Sequence, residues 1–136
     1  MHEEQIIKID EMKKNFFIDN KFKFCNLTNK LVSMNLSEIQ EKEIFPGLKG
    51  KFVHGENISW AFWEVKKGAK VDLHKHPHEQ IMHVVEGKFE FTLNNKTKVY
   101  ENGDVVVIPS NIEHSGYALT DCKLMDVFSP AREEYR

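Results

Sequence analysis

From residue 49 onward the apolar positions recur with the period of a β-strand. Phe89, Phe91 and Leu93 alternate with Lys88, Glu90 and Thr92, so one face of that segment is apolar and the other polar. Lys51 to His54 and Ile58 to Lys66 are rich in aromatics and valine and read as strands. Ile81 to Val85 is an apolar run holding one histidine and closed by Glu86-Gly87, and Val105 to Ile108 reads as a buried strand ended by Pro109. Lys96 to Tyr100, Ile112 to Leu119 and Cys122 to Phe128 complete the series. Turn signals separate them: Lys67-Gly68, Asn94-Asn95 and Asn102-Gly103. Asn94-Asn95 suits a hairpin turn because asparagine tolerates positive φ. Short strands at this spacing, with helix nearly absent after residue 45, predict an antiparallel sandwich or barrel.

Residues 1–34 follow no clean period. Ile6, Ile7 and Ile9 suit a short edge strand or arm, and Phe16, Phe17, Ile18, Phe22 and Phe24 are too apolar for a disordered tail. This stretch reads as an extension packed on the barrel or on a partner subunit, with residues 35–136 as the barrel domain. Asn35 to Gln40 has room for one helical turn, and Pro46-Gly47 marks a turn.

The 136 residues suit one domain, and 40% hydrophobic content suits an ordinary core. A formal net charge of −2 offers no broad basic surface, which argues against nucleic-acid binding driven by charge. The start, Met1-His2-Glu3-Glu4-Gln5, is acidic and polar rather than signal-like, and no apolar stretch is long enough to span a bilayer. Two cysteines, Cys25 and Cys122, are fewer than a small secreted domain usually carries. Two reduced thiols in a cytoplasmic protein are expected.

Three of the seven histidines fall in His74-Lys75-His76-Pro77-His78-Glu79-Gln80. In extended chain, residues two apart share a face, so His74 and His76 can aim two imidazoles at one point. A third or fourth ligand has to come from elsewhere: Gln80 has the same parity, and His114 lies two hairpins later. His-x-His alone is more often a solvated loop than a metal site. Two ordered blocks sharpen it: Gly68, His74-x-His76 and Gly87, then Gly103, Pro109 and His114. Glu79 is an alternative third ligand of opposite parity, and His78 reads as an outer or surface group.

These two blocks resemble the paired motifs of the cupin superfamily, across about residues 45–130. The resemblance implies a double-stranded β-helix (jelly-roll) barrel holding one divalent metal ion, Mn, Fe, Co, Ni or Zn, and a homodimer, since cupin barrels often pair through sheet edges. The Phe-rich extension is a candidate to cross to the partner and cover such an edge. Two positions depart from the family pattern: Gln80 stands where glutamate is usual, and Asn111 where glycine is usual two residues after the proline. With Gln80, three imidazoles and one amide leave the full charge on the ion, which suits polarising a carbonyl or hydroxyl better than activating dioxygen.

The C-terminal stretch is Asp126-Val127-Phe128-Ser129-Pro130-Ala131-Arg132-Glu133-Glu134-Tyr135. Asp126 and Phe128 share one strand face. By pattern alone Asp126 reads as a satisfied structural acid, Phe128 as core and Arg132 as a solvated tail residue. Together with His-x-His-Pro-His-Glu-Gln, however, this ending resembles the KdgF-type cupins of uronate catabolism. That resemblance implies His74, His76, Gln80 and His114 as ligands, Asp126 and Arg132 as catalytic groups, and Phe128 with Arg132 as the substrate-binding side. The implied activity opens 4,5-unsaturated monouronates to linear keto sugar acids. A non-catalytic sugar- or small-acid-binding module, and another cupin enzyme such as a dioxygenase or sugar epimerase, are the alternatives.

Trp60 and Phe62 share one face of their strand and Trp63 takes the other; core or dimer packing is the expected role. His83 is off the ligand parity and reads as a core or interface histidine, and His54 as surface or pocket rim. Lys66-Lys67 and Arg132-Glu133-Glu134 read as solvent-facing charge runs.

Overall fold

The structure, a computed structural model, describes residues 32–136. Cys25, Ile6, Ile7, Ile9 and the phenylalanines of the predicted extension lie outside the described residues. A single 3₁₀ turn, Leu36–Glu38, stands where a helical turn was expected, with Asn35 Oδ1 accepting the Ser37 N–H at its start.

Strands follow from Lys42, earlier than the alternation predicts. They are β1 (Lys42–Phe45), β2 (Leu48–His54), β3 (Ser59–Val65), β4 (Lys70–His74) and β5 (Glu79–Glu86). The series continues with β6 (Lys88–Leu93), β7 (Lys96–Glu101), β8 (Val105–Ile108), β9 (His114–Ala118) and β10 (Cys122–Ser129). Among the described residues they form two antiparallel sheets, ordered β1-β2-β3-β10-β5-β8 and β4-β9-β6-β7. This is a jelly-roll barrel. No helix among the described residues is long and apolar enough to cross a membrane.

Sequence parity sets which side chains face inward. Phe89 and Phe91 of β6, Met82 and Val84 of β5, and Leu124 and Phe128 of β10 form the core with Trp63 and Ile108. Val105 to Ile108 corrects the expectation of a buried strand: Val106 and Ile108 are inside, whereas Val105 and Val107 are 58% and 57% exposed. The turns behave as their residues predict. Asn94 and Asn95 both have positive φ and close the β6–β7 hairpin, and Asn111 (φ 63°) takes the left-handed backbone that glycine usually supplies. Gly50 has a packing reason. A Cβ there would come 2.7 Å from both the Phe52 and Trp63 rings, so the missing side chain leaves room for both rings at this position.

Candidate active site

Register brings distant histidines together. β4 and β9 pair His74 directly with His114, and their ring centroids are 4.2 Å apart. His76 sits in the loop toward β5, its ring centroid 4.9 Å from that of His114. The Asn111 turn fixes this loop, because its N–H donates to the His76 carbonyl at 2.8 Å. One nitrogen from each imidazole lies within 4.8 Å of the others.

Each imidazole is oriented by a carbonyl two residues away. The Nδ1 atoms of His74, His76 and His114 lie 2.8, 3.0 and 2.8 Å from the oxygens of Asp72, His78 and Ile112. A carbonyl only accepts, so each Nδ1 carries a proton, and in a neutral ring Nε2 is then the lone pair left to bind. Burial, reinforced by the Arg132 charge, lowers the pKa of His76. Burial lowers that of His114 to about 4, so both rings are neutral at pH 7. Nε2 of His114 is buried with no hydrogen-bond partner, a costly arrangement for a lone pair unless something binds it.

On β5, Gln80 is buried and Glu79 exposed. Gln80 Oε1 lies 3.1 Å from His76 Nε2. With His76 Nδ1 protonated, this contact joins two lone pairs, and a cation between them would remove the conflict. Adjacent ligands at about 2.1 Å from one ion stand about 3 Å apart, close to the observed spacing. Three imidazoles with an amide oxygen alongside therefore fit a divalent first-row ion.

The same cavity, of about 100 Å³, is lined by His74, Gln80, His114, Asp126, Phe128 and Arg132. That is far more than the roughly 10–15 Å³ one water requires. His76, the remaining predicted site residue, is buried with its ring centroid 5.8 Å from Phe128. Asp126 lies diagonal to Gln80, since β10 pairs with β5 as Asp126↔Met82 and Phe128↔Gln80. Trp63 Nε1 donates to Asp126 Oδ2 at 2.8 Å, while Oδ1 is buried without a partner. The Gln80 amide is near enough to favour the carboxylate without closing a full hydrogen bond to Oδ1. Burial dominates and raises the Asp126 pKa to about 6, against Gln80, Trp63 and the Arg132 charge.

Arg132 corrects the expectation that Arg132-Glu133-Glu134 is a solvent-facing run. It is only 9% exposed. Its backbone N–H donates to Ser59 Oγ at 2.8 Å, and its Nε donates to Glu134 Oε1 at 2.7 Å. The guanidinium lies 4.9 Å from the Phe128 ring centroid and 4.5 Å from that of Tyr135. Sequence reasoning did not single out Glu134, Tyr135 or Ser59, and took Trp63 only as packing. Parity placed Trp63 opposite Trp60, which was the available signal. His78 is buried and its carbonyl, not its ring, orients His76.

The sequence model described as "Cupin domain" matches residues 61–128. An RmlC-like cupin from Shewanella frigidimarina is 31% identical, covers 74% of this chain and 91% of its own, and superposes with a TM-score of 0.71. KdgF from Halomonas sp. is 30% identical, with 74% and 94% covered and a TM-score of 0.70. An uncharacterised protein of Streptomyces coelicolor is 24% identical over 100 residues, 72% of this chain and 95% of that protein.

Proposed function

The chain belongs to the cupin domain family, and within it we propose a metal-dependent enzyme that opens the ring of 4,5-unsaturated monouronates to linear keto sugar acids. One observation carries the reading. A buried carboxyl group with an unpartnered oxygen, Asp126, shares a cavity with a guanidinium, Arg132, and with the histidine cluster. The likeness to KdgF from Halomonas sp. supports the same direction.

His74, His76, His114 and Gln80 would hold the ion. When bound, a divalent metal supplies a Lewis acid that polarises a sugar oxygen and stabilises developing negative charge. The chain's own groups do the rest. Arg132, braced by Glu134 and by the Phe128 and Tyr135 rings, receives the substrate carboxylate on its remaining donors. Phe128 gives the sugar an apolar wall. Asp126 accepts the proton of the anomeric hydroxyl as the bond from C1 to the ring oxygen breaks. The C1 oxygen becomes an aldehyde and the ring oxygen leaves as an enolate on C5. Asp126 then returns a proton to C4, leaving a ketone at C5, so the reaction is an isomerisation with no net water. A carboxyl group with a pKa near 6 can both take and give that proton near neutral pH.

The test is direct. Metal-replete protein is incubated with the unsaturated monouronates released by pectate or alginate lyases, and loss of the unsaturated chromophore is followed. Loss well above that of a His76→Ala control is expected. A rate equal to the control would refute the assignment, and stoichiometric oxygen consumption would move it to an oxygenase.

A further inference from the structure

The tail that carries Arg132 brings a second polar group to the cavity. Tyr135 closes the 3₁₀ turn Glu133–Tyr135 and lines the same cavity as Asp126, Phe128 and Arg132. Its ring is held on several sides. The ring centroid stands 4.7 Å from that of Phe52, 5.8 Å from Trp63 and 6.1 Å from Phe128, and 4.5 Å from the Arg132 guanidinium carbon. Its backbone is tied as well: the carbonyl faces His54 Nε2 at 3.3 Å, and the N–H donates to the Arg132 carbonyl at 3.2 Å. A tyrosine packed this closely usually gives its O–H a partner. Yet among the described residues no hydrogen bond engages the Tyr135 hydroxyl.

The ring opening calls for such a donor. As the bond from C1 breaks, negative charge gathers on the ring oxygen, which becomes an enolate on C5. An oxyanion beside apolar walls is costly unless a donor is aimed at it. The other donors of the cavity are engaged. Trp63 Nε1 donates to Asp126 Oδ2, and the Nδ1–H groups of His74 and His114 face carbonyls. Arg132 holds Glu134 and receives the substrate carboxylate, and the Gln80 amide lies toward Asp126. The phenol O–H is left.

We propose that Tyr135 is a catalytic hydrogen-bond donor, its hydroxyl stabilising the ring oxygen of the unsaturated uronate as that oxygen leaves C1. This rests on the ring-opening reading above. Connectivity brings the two groups together, because the carboxylate carbon and the ring oxygen are both bonded to C5. A carboxylate clamped by a guanidinium sits about 4 Å from the guanidinium carbon. The Tyr135 centroid is 4.5 Å from that carbon, and the hydroxyl lies one bond beyond the ring. A substrate anchored on Arg132 therefore carries its ring oxygen into reach of the phenol. The step balances without a further proton. The electron pair of the broken bond goes to the ring oxygen, Asp126 moves the anomeric proton to C4, and Tyr135 keeps its own. Burial, with the Asp126 and Glu134 carboxylates, raises the phenol above the usual tyrosine range against the Arg132 charge, so it stays a donor at neutral pH.

Tyr135→Phe tests this, since it keeps the ring and removes only the oxygen. Initial rates of metal-replete wild type and variant on the unsaturated monouronates are compared, with metal content and melting temperature measured alongside. A donor used only in the transition state lowers kcat and kcat/KM together. Here kcat is expected to fall by about 10²- to 10³-fold, the scale of losing one oxyanion donor, with KM, metal content and melting temperature unchanged. A kcat close to that of the wild type would overturn the proposal and leave the ring-opening assignment standing. A fall in kcat matched by lost metal or a lowered melting temperature would also overturn it, because the phenol would then be structural. So would a raised KM at constant kcat, which would put the hydroxyl in ground-state binding. A wild-type chain with no turnover above the His76→Ala control would fail at the assignment itself, and the donor role would fall with it.

Discussion

The two ends of the cavity are held by different kinds of contact. At the histidine end every imidazole is oriented by a carbonyl two residues away, at Asp72, His78 and Ile112. At the acid end the fixing contacts span the chain. Trp63 reaches Asp126 across 63 positions, and Ser59 accepts from Arg132 across 73. A locally oriented ligand keeps its tautomer as long as its own turn survives. A carboxylate positioned by a distant indole depends on the register of two strands, β3 and β10. The ends should therefore fail separately.

The largest effect is expected at the histidine end. His114→Ala removes the buried Nε2 lone pair, and affinity for Mn, Ni or Zn should fall by more than the roughly 100-fold that losing an outer hydrogen-bond partner alone can cost. Equilibrium dialysis with metal analysis reads this, and circular dichroism should show the sheets intact. Unchanged metal content would break the comparison at its first term.

Next is Asp126→Asn. The amide can still accept from Trp63 but cannot move a proton. Turnover of unsaturated monouronate should fall by about 10²- to 10⁴-fold with metal content unchanged. If metal were lost too, the ends would not be separable.

The same contrast explains what could be read from the chain. Strand parity marked His74, His76 and Gln80 as one face, and it set Trp63 apart from Trp60, because a period of two is a local property. The positive φ of Asn94, Asn95 and Asn111 was legible for the same reason. What pattern could not give was depth. Arg132 sits in a tail with the composition of a solvated run, and only the docking of its guanidinium against Phe128 and Tyr135 buries it. Val105 to Ile108 failed in the opposite sense: four apolar residues in succession do not tell whether one face or two will be covered, and β8, at the end of its sheet, covers one. The expectation that Asp126 and Arg132 share a site came from resemblance rather than pattern.

A smaller effect sharpens the acid end. Glu134→Gln keeps the shape of the Arg132 brace and removes its charge. KM should rise by up to about fivefold, the scale of an ion pair whose acid is half exposed, with kcat and metal content unchanged. Initial rates read the split, and a fall in kcat at constant KM would refute a purely positioning role.

The smallest effect comes from His54, which tethers the acid end from outside the cavity. Ser59 Oγ accepts the Arg132 N–H, so its own proton is free to go to His54 Nδ1 at 2.8 Å, and His54 Nε2 then donates to the Tyr135 carbonyl at 3.3 Å. This chain of hydrogen bonds requires a neutral ring. Burial lowers the His54 pKa below 6.5; Arg136 and Lys42 act the same way, while the Tyr135 carbonyl and Glu133 oppose. The sign follows. In the folded state the neutral form is favoured, so the tether contributes fully above the unfolded value near 6.5 and is lost as pH falls through the lower folded value. His54→Gln removes the titration. The melting temperature of the wild-type chain should exceed that of His54→Gln by a margin that shrinks as pH drops from about 7.5 toward 5.5. A margin constant across that range would mean that the tail is held without this histidine. The acid end would then depend only on the Ser59 and Trp63 contacts.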